Sequence, residues 1–144
     1  LRGDSAVRFI DSNVLVYVAD DTDAAKQKVA REIVKRALSS DEYVVSAQVI
    51  NEFSFVLLRK LHKTADEIDG FVEVLDGIKT VSVSPEWTRK AIAIMKRYEL
   101  QFFDSLLLAA AVDLGCDEFL SEDLNDGQLY NGVKAVNPFK QISS

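Results

Sequence analysis

"FIDSNVLVY", residues Phe9 to Tyr17, sets Asp11-Ser12-Asn13 in the middle of an otherwise apolar run. A strand entering a core and a helix leaving it account for the two apolar halves. Neither accounts for a carboxylate at the junction, where desolvation disfavours charge. Asp11 is therefore either a turn residue whose carboxylate caps backbone N–H groups, a role open equally to Ser12 or Asn13, or one member of a site. The choice depends on what the rest of the chain brings to the same place.

Working outward, the apolar pattern alternates between two periods. Val7 to Ile10 reads as a short buried strand. From Asp23 to Ser40, Val29, Ala30, Ile33, Val34, Ala37 and Leu38 recur at helical spacing. "EYVVS" (Glu42–Ser46) predicts a second strand, followed by a helix from about Ala47 to His62. Thr64 precedes Glu67 by three residues, a capping-box signature opening another helix. "KTVSVS" is strand-like, and Pro85 suits the first turn of a helix carrying Trp87, Ala91, Ile94, Met95 and Tyr98 on one stripe. "DSLLLAAAVDLG" predicts a buried helix closed by Gly115, and "EFLS" and "VKAV" the last two strands. Strands separated by helices predict an α/β protein, a mainly parallel sheet with helices on both faces. No linker or repeat divides it, so residues 1–144 are expected to form a single domain, with 1–6 a flexible N-terminus. In open sheets of this kind ligands bind beyond the carboxyl ends of strands. Asp11 sits at such an end, and so does the acidic "SEDLND" after "EFL".

Composition narrows the chemistry. The 144 residues are 48% hydrophobic and 28% charged, and no stretch approaches a membrane span. "LRGDSAVR" lacks the apolar segment of a signal peptide. Cys116 is alone, which removes a disulfide framework and a cysteine zinc site and suits a cytoplasmic location. His62 is the sole histidine, and the six glycines form neither a P-loop nor a dinucleotide fingerprint. Carboxylates are the main catalytic candidates left. The net charge of −6 argues against general electrostatic binding of nucleic acid, although a locally basic groove is compatible with it. Lys26, Lys28, Arg31, Lys35 and Arg36 crowd one segment, and Arg59, Lys60 and Lys63 another; solvated helix faces are the simpler reading of both.

Each remaining acid has a structural explanation beside the functional one. Glu52 falls at the edge of the apolar stripe of its helix with no basic neighbour at three or four positions, so an exposed rim residue and a ligand to a distant cation compete. Asp104 in "FFDSLLLAAA" stands where a buried helix begins, and an N-cap is an adequate account of it. Glu122, Asp123 and Asp126 in "SEDLNDGQ" read as a solvated loop. If the acids converge, they must take up protons or bind cations. An all-oxygen set without His or Cys suits Mg²⁺ or Mn²⁺, metals that stabilise attacking and leaving oxygens at phosphates.

Taken in order, "FIDSNVLVY", "VSAQVINEF", "FFDSLLLAAA" and "LSEDLNDG" make the chain resemble the PIN-domain family from Val7 to Phe139. The resemblance implies a three-layer α/β/α sandwich and metal-dependent cleavage of RNA. It matches Asp11, Glu52, Asp104 and Asp123 to the family's catalytic and metal-binding acidic quartet, with Asp126 as an additional or alternative acid. It implies supporting roles for Ser121, which orients a ligand or water, and for Ser12 and Asn13, the first capping the helix and the second holding Asp11 by hydrogen bonds. The compact size is similar to the toxin of VapBC-type toxin–antitoxin pairs, which implies an RNA substrate, a small antitoxin covering the acidic pocket and a homodimer. Two rival readings remain at this level: a catalytically inactive PIN-like module that binds RNA or protein, and a haloacid-dehalogenase-type phosphatase with Asp11 as nucleophile. The second expects an acid two residues after Asp11, where this chain has Asn13.

Overall fold

The computed structural model describes residues 6–140; nearly all of the expected flexible N-terminus, residues 1–5, lies outside the described residues. The elements run β1 (Arg8–Ile10), α1 (Ser12–Val16), α2 (Ala24–Leu38), β2 (Tyr43–Ser46), α3 (Ala47–Arg59), α4 (Ala65–Leu75), β3 (Thr80–Val81), α5 (Glu86–Tyr98), α6 (Phe102–Asp113), β4 (Glu118–Leu120), β5 (Leu129–Tyr130) and β6 (Val133–Val136). The strands form one sheet in the order β3-β2-β1-β4-β6-β5. Every pairing is parallel except β5 with β6. No helix among the described residues is long and apolar enough to cross a membrane.

The central strands are short apolar runs because both of their faces are covered. Phe9, Ile10, Val44, Val45, Phe119 and Leu120 are all buried. Phe9 and Phe119 stand opposite each other in the β1–β4 register and stack with ring centroids 5.4 Å apart. On one side α3 packs against α1 and α4; on the other α5 and α6 pack together, with α6 against β4 and β6. α6 is buried continuously from Ser105 to Ala111. A helix apolar all round is one enclosed on every side, here between sheet and α5. α5 buries Trp87, Ala91 and Ile94 and packs the half-buried Tyr98 against the core, and Trp87 Nε1 donates to Asp113 Oδ2 of α6 at 2.9 Å.

Strand order creates the position that matters for function. From β1 the chain builds outward through β2 to β3, then returns to place β4 on the other side of β1. With right-handed crossovers this reversal puts the helices of the β1-to-β3 connections on one face and α5 and α6 on the other, and opens a crevice at the carboxyl ends of β1 and β4. Ile10 pairs with Leu120, so Asp11 and Ser121 leave the sheet side by side.

Four local expectations change. The helix from Ala47 ends at Arg59, and His62 then takes a left-handed conformation at φ 53°. "KTVSVS" pairs only over Thr80–Val81, because only the end of β2 reaches this edge strand. The first helix is capped by Asp11 rather than at Ser12, the Asp11 carboxylate accepting from Ser12 N–H. β5 was not anticipated; Asn131-Gly132, both at positive φ, make the tight hairpin turn into β6. The capping box holds as expected, with Thr64 and Glu67 exchanging backbone-to-side-chain bonds of 2.9 and 3.2 Å. Leu108 lies at the middle of the enclosed α6 and is fully buried. Leu108→Ala is expected to lower stability by about 2–5 kcal/mol, measured by urea unfolding; a loss under 1 kcal/mol, on the order of a surface change, would contradict this packing.

Candidate active site

Asp11 is 4% exposed and caps a helix, yet its hydrogen bonds extend well beyond the cap. Oδ1 accepts from Ser12 N–H at 2.7 Å. Oδ2 accepts from Ser121 Oγ at 2.9 Å and from Asn13 Nδ2 at 3.2 Å. The two readings of Asp11 are thus both true: the carboxylate caps α1 and faces the crevice. Asn13 is the hub of the loop pair. Its amide nitrogen also approaches Ser121 Oγ at 3.0 Å and Asp123 Oδ2 at 2.9 Å, while its oxygen accepts from Glu122 N–H at 3.3 Å. Ser121 Oγ in turn accepts from Asp123 N–H at 3.1 Å. Asn13 therefore ties the turn after β1 to the turn after β4, occupying with an amide the position where the phosphatase reading expects an acid.

Asp104 arrives from the opposite layer. The N-cap of α6 is Gln101, and Asp104 is the third helical residue, which corrects its reading as a cap. A carboxylate in the first turn is favoured by the helix dipole, which helps to hold it there without fixing its direction. Carboxylate oxygens of Asp11, Asp104 and Asp123 lie within 4.8 Å of one another. Like charges at that separation repel by about 3–4 kcal/mol per pair at an effective dielectric near 20, less where Asp123 opens to solvent. No described Lys or Arg forms an ion pair with any of the three.

Glu52 stands beside this group rather than within it. It is partly buried on α3, and its Oε1 is enclosed with no hydrogen-bond partner among the described residues; the same holds for Gln48 Nε2, one turn earlier. Gln48 had no signal in the sequence beyond that spacing. Asp126 points elsewhere: it accepts from Asn137 N–H at 2.7 Å and faces Lys140 at 3.6 Å. Of the two candidates in "SEDLND", the structure therefore brings Asp123 to the other acids and uses Asp126 to secure the chain after β6. Glu122 turns outward, accepting from Tyr17 Oη at 2.6 Å and Lys26 Nζ at 2.9 Å.

The electrostatics follow from the geometry. Burial pushes the Asp11 carboxyl up to about 7, against the hydrogen bonds from Ser121 and Ser12, with the charges of Asp104 and Glu52 adding to the rise. Asp104 is raised by burial and then by Asp123. Glu52 is raised by burial and then by Asp104, the nearby Gln48 amide pulling the other way without hydrogen-bond geometry. An oxygen-only set short of cations, with one orphaned carboxylate oxygen at its edge, fits a hard divalent ion.

A mostly parallel α/β sandwich with carboxylates gathered at its topological switch point defines a class of protein, and the family can be named within it. Residues 8–126 match the PIN domain model, and the chain belongs to the PIN-domain family. No curated relative matches by sequence. Among solved structures, a toxin–antitoxin complex from Klebsiella pneumoniae is similar with a TM-score of 0.68 at 18% identity, over 91% of this chain and 97% of that one. DNA-bound VapBC from Salmonella typhimurium gives 0.66 at 12%, over 90% and 96%. VapC20 from Mycobacterium tuberculosis, a sarcin-ricin loop cleaving toxin, gives 0.61 at 14%, over 78% and 86%.

The raised carboxyl makes a pH prediction. In EDTA the folded protein holds a proton on Asp11 between about pH 4 and 7 that the unfolded chain has released. Stability therefore falls as pH rises through that window, by an amount of order 4 kcal/mol from Asp11. Melting temperatures from pH 5 to 8 in EDTA should fall in wild type and flatten in Asp11→Asn, which should be the more stable at pH 8. Parallel curves would show that Asp11 is not a strained carboxylate.

Proposed function

We propose that this protein is a metal-dependent ribonuclease, the toxin of a type II toxin–antitoxin pair, and that Asp11, Glu52, Asp104 and Asp123 are its catalytic acids. The observation that carries the reading is the convergence of Asp11, Asp104 and Asp123 with no ion pair to a Lys or Arg among the described residues. Membership of the PIN-domain family supports phosphodiester chemistry. Similarity to a sarcin-ricin loop cleaving VapC toxin and to toxin–antitoxin complexes supports RNA as substrate and an antitoxin as partner; the homodimeric assembly and cytoplasmic place of work belong to the same proposal.

Asp11, Asp104 and Asp123 would hold Mg²⁺ or Mn²⁺, with Glu52 completing the set through its unpartnered oxygen. Such an ion neutralises phosphate charge and acidifies an attacking water. The protein supplies the remaining elements. Asn13 and Ser121 hold Asp11 and Asp123 in fixed relation, so the carboxylates need not reorganise when substrate arrives. Asp104 and Glu52, both of raised proton affinity and partly open to solvent, are placed to take the proton released as the phosphodiester is attacked. Asp126, engaged by Asn137 N–H and Lys140, stands outside the proposed set.

Thermal unfolding with and without Mn²⁺ tests the site, and cleavage of a mixed-sequence RNA tests the activity. Metal at about 100 times its dissociation constant should add about 2.7 kcal/mol, a rise of roughly 5–10 °C for a domain of this size. Asp104→Asn should lose most of that rise and the cleavage together. A wild-type protein with neither a metal-dependent shift nor cleavage, but with RNA or protein binding, would instead be the inactive binding module.

A further inference from the structure

Beside the acids lies an open cleft of about 400 Å³. Two helix faces form it. On α1, Asn13 and Val16 follow one another at helical spacing, with Tyr17 just past the end of the helix. On α3, Glu52, Val56 and Lys60 lie four residues apart, so Lys60, the residue capping α3, stands about 12 Å along the axis from Glu52. The cleft is lined by Asn13 and Asp123 from the acid site, by Val16, Val56 and Leu61, and by Lys60.

The charges around it are unequal. Glu122 is neutralised by Lys26 at 2.9 Å. Asp20, also on the lining, remains an anion: two hydrogen bonds from Thr22 lower the proton affinity of its carboxyl, and the cation acting on it is Lys63, not Lys60. Lys60 is exposed, and its ammonium makes no ion pair or hydrogen bond among the described residues. Apolar walls, a lysine unpaired among the described residues and direct continuity with the proposed phosphodiester-cleaving centre suit a ligand that repeats a flat apolar group beside an anion. A single-stranded nucleotide has that chemistry.

We propose that this cleft is the subsite for the RNA nucleotide adjoining the scissile phosphodiester, with Lys60 contacting a neighbouring phosphate. The assignment rests on the nuclease reading and deepens it. Lys60 is a positioning residue: it holds the strand so that the bond to be cut lies over the acids. The cation cluster Arg59-Lys60-Lys63 is then more than solvated helix surface at one of its members.

The test measures binding apart from turnover. A fluorescein-labelled, mixed-sequence RNA dodecamer is titrated by anisotropy with Ca²⁺ present, for wild type, Lys60→Glu, Lys60→Gln and Lys96→Glu. Lys96 is exposed on α5 and serves as the control. Lys60→Glu should weaken binding about tenfold or more, and Lys96→Glu should not. Lys60→Gln should reduce the slope of log affinity against log salt by about 0.7, the value of one single-strand phosphate contact. In cleavage with Mn²⁺, Lys60→Glu should raise KM more than it lowers kcat, and its Mn²⁺-dependent thermal shift should match wild type. RNA binding equal to wild type would overturn the subsite and leave the nuclease reading standing. So would a lost Mn²⁺ shift, which would place Lys60 in the fold or the metal site, or an oligoglutamate peptide of equal charge binding as tightly as the RNA. Wild type that neither binds nor cleaves RNA would overturn both readings.

Discussion

Keeping a carboxylate at Asp11 out of water is the constraint on which the site geometry depends. A buried acid is tolerated only where hydrogen bonds replace its hydration. One donor comes from its own turn, Ser12 N–H, but Ser121 Oγ lies across the sheet. The parallel register that sets Ile10 beside Leu120 is what brings that hydroxyl within 2.9 Å. A shift of one residue along β4 would turn Ser121 away and reverse the faces of Phe119 and Leu120. Packing and site chemistry therefore demand the same register, and the stacked Phe9 and Phe119 rings stabilise it from the apolar side.

Charge is distributed in two zones around this point. The outward carboxylates are matched: Glu122 with Lys26, Asp126 with Lys140, Asp113 with Lys90. The two exposed pairs, Asp126 with Lys140 and Asp113 with Lys90, are worth little individually, but Glu122 and Asp126 also anchor the loop that carries Asp123, through Tyr17 and the backbone after β6. The inward carboxylates have no such ion-pair partners among the described residues, and the elevated proton affinities of Asp11, Asp104 and Glu52 are the signature of burial and, after it, of unrelieved repulsion. A rigid, locally destabilised acidic pocket set in a well-satisfied frame is what a cation site requires before the cation arrives. The enclosed α6 serves the same end, since a helix buried along seven consecutive residues fixes Asp104 against drift.

Much of this was legible in the chain. Apolar runs and helical stripes identified the α/β class because burial on both faces of a parallel sheet leaves continuous hydrophobic segments. The Thr64–Glu67 box was readable because both partners lie within one turn. The Asn131-Gly132 hairpin carried a local signal that a strand-by-strand reading passed over, its flanking strand being only two residues long. The length of β3 had no local signal at all; it is decided by how far β2 extends alongside it.

The same division runs through the candidate site. By themselves, the residue types left carboxylates as the main candidates for any chemistry, and the strand-end positions of Asp11 and "SEDLND" placed acids from both segments at one edge of the sheet. Tertiary structure alone decided which acids meet. Asp123 and Asp126 are three residues apart in one loop, and they part because Asn13 takes the first while Asn137 and Lys140 take the second. Asp104 looked like a cap because its partners are distant in sequence, and Lys60 like ordinary helix surface because the cleft beside it exists only once α1 and α3 pack. Periodicity and capping report contacts within about one helical turn, whereas the convergence of side chains more than a hundred residues apart is set by strand order and register.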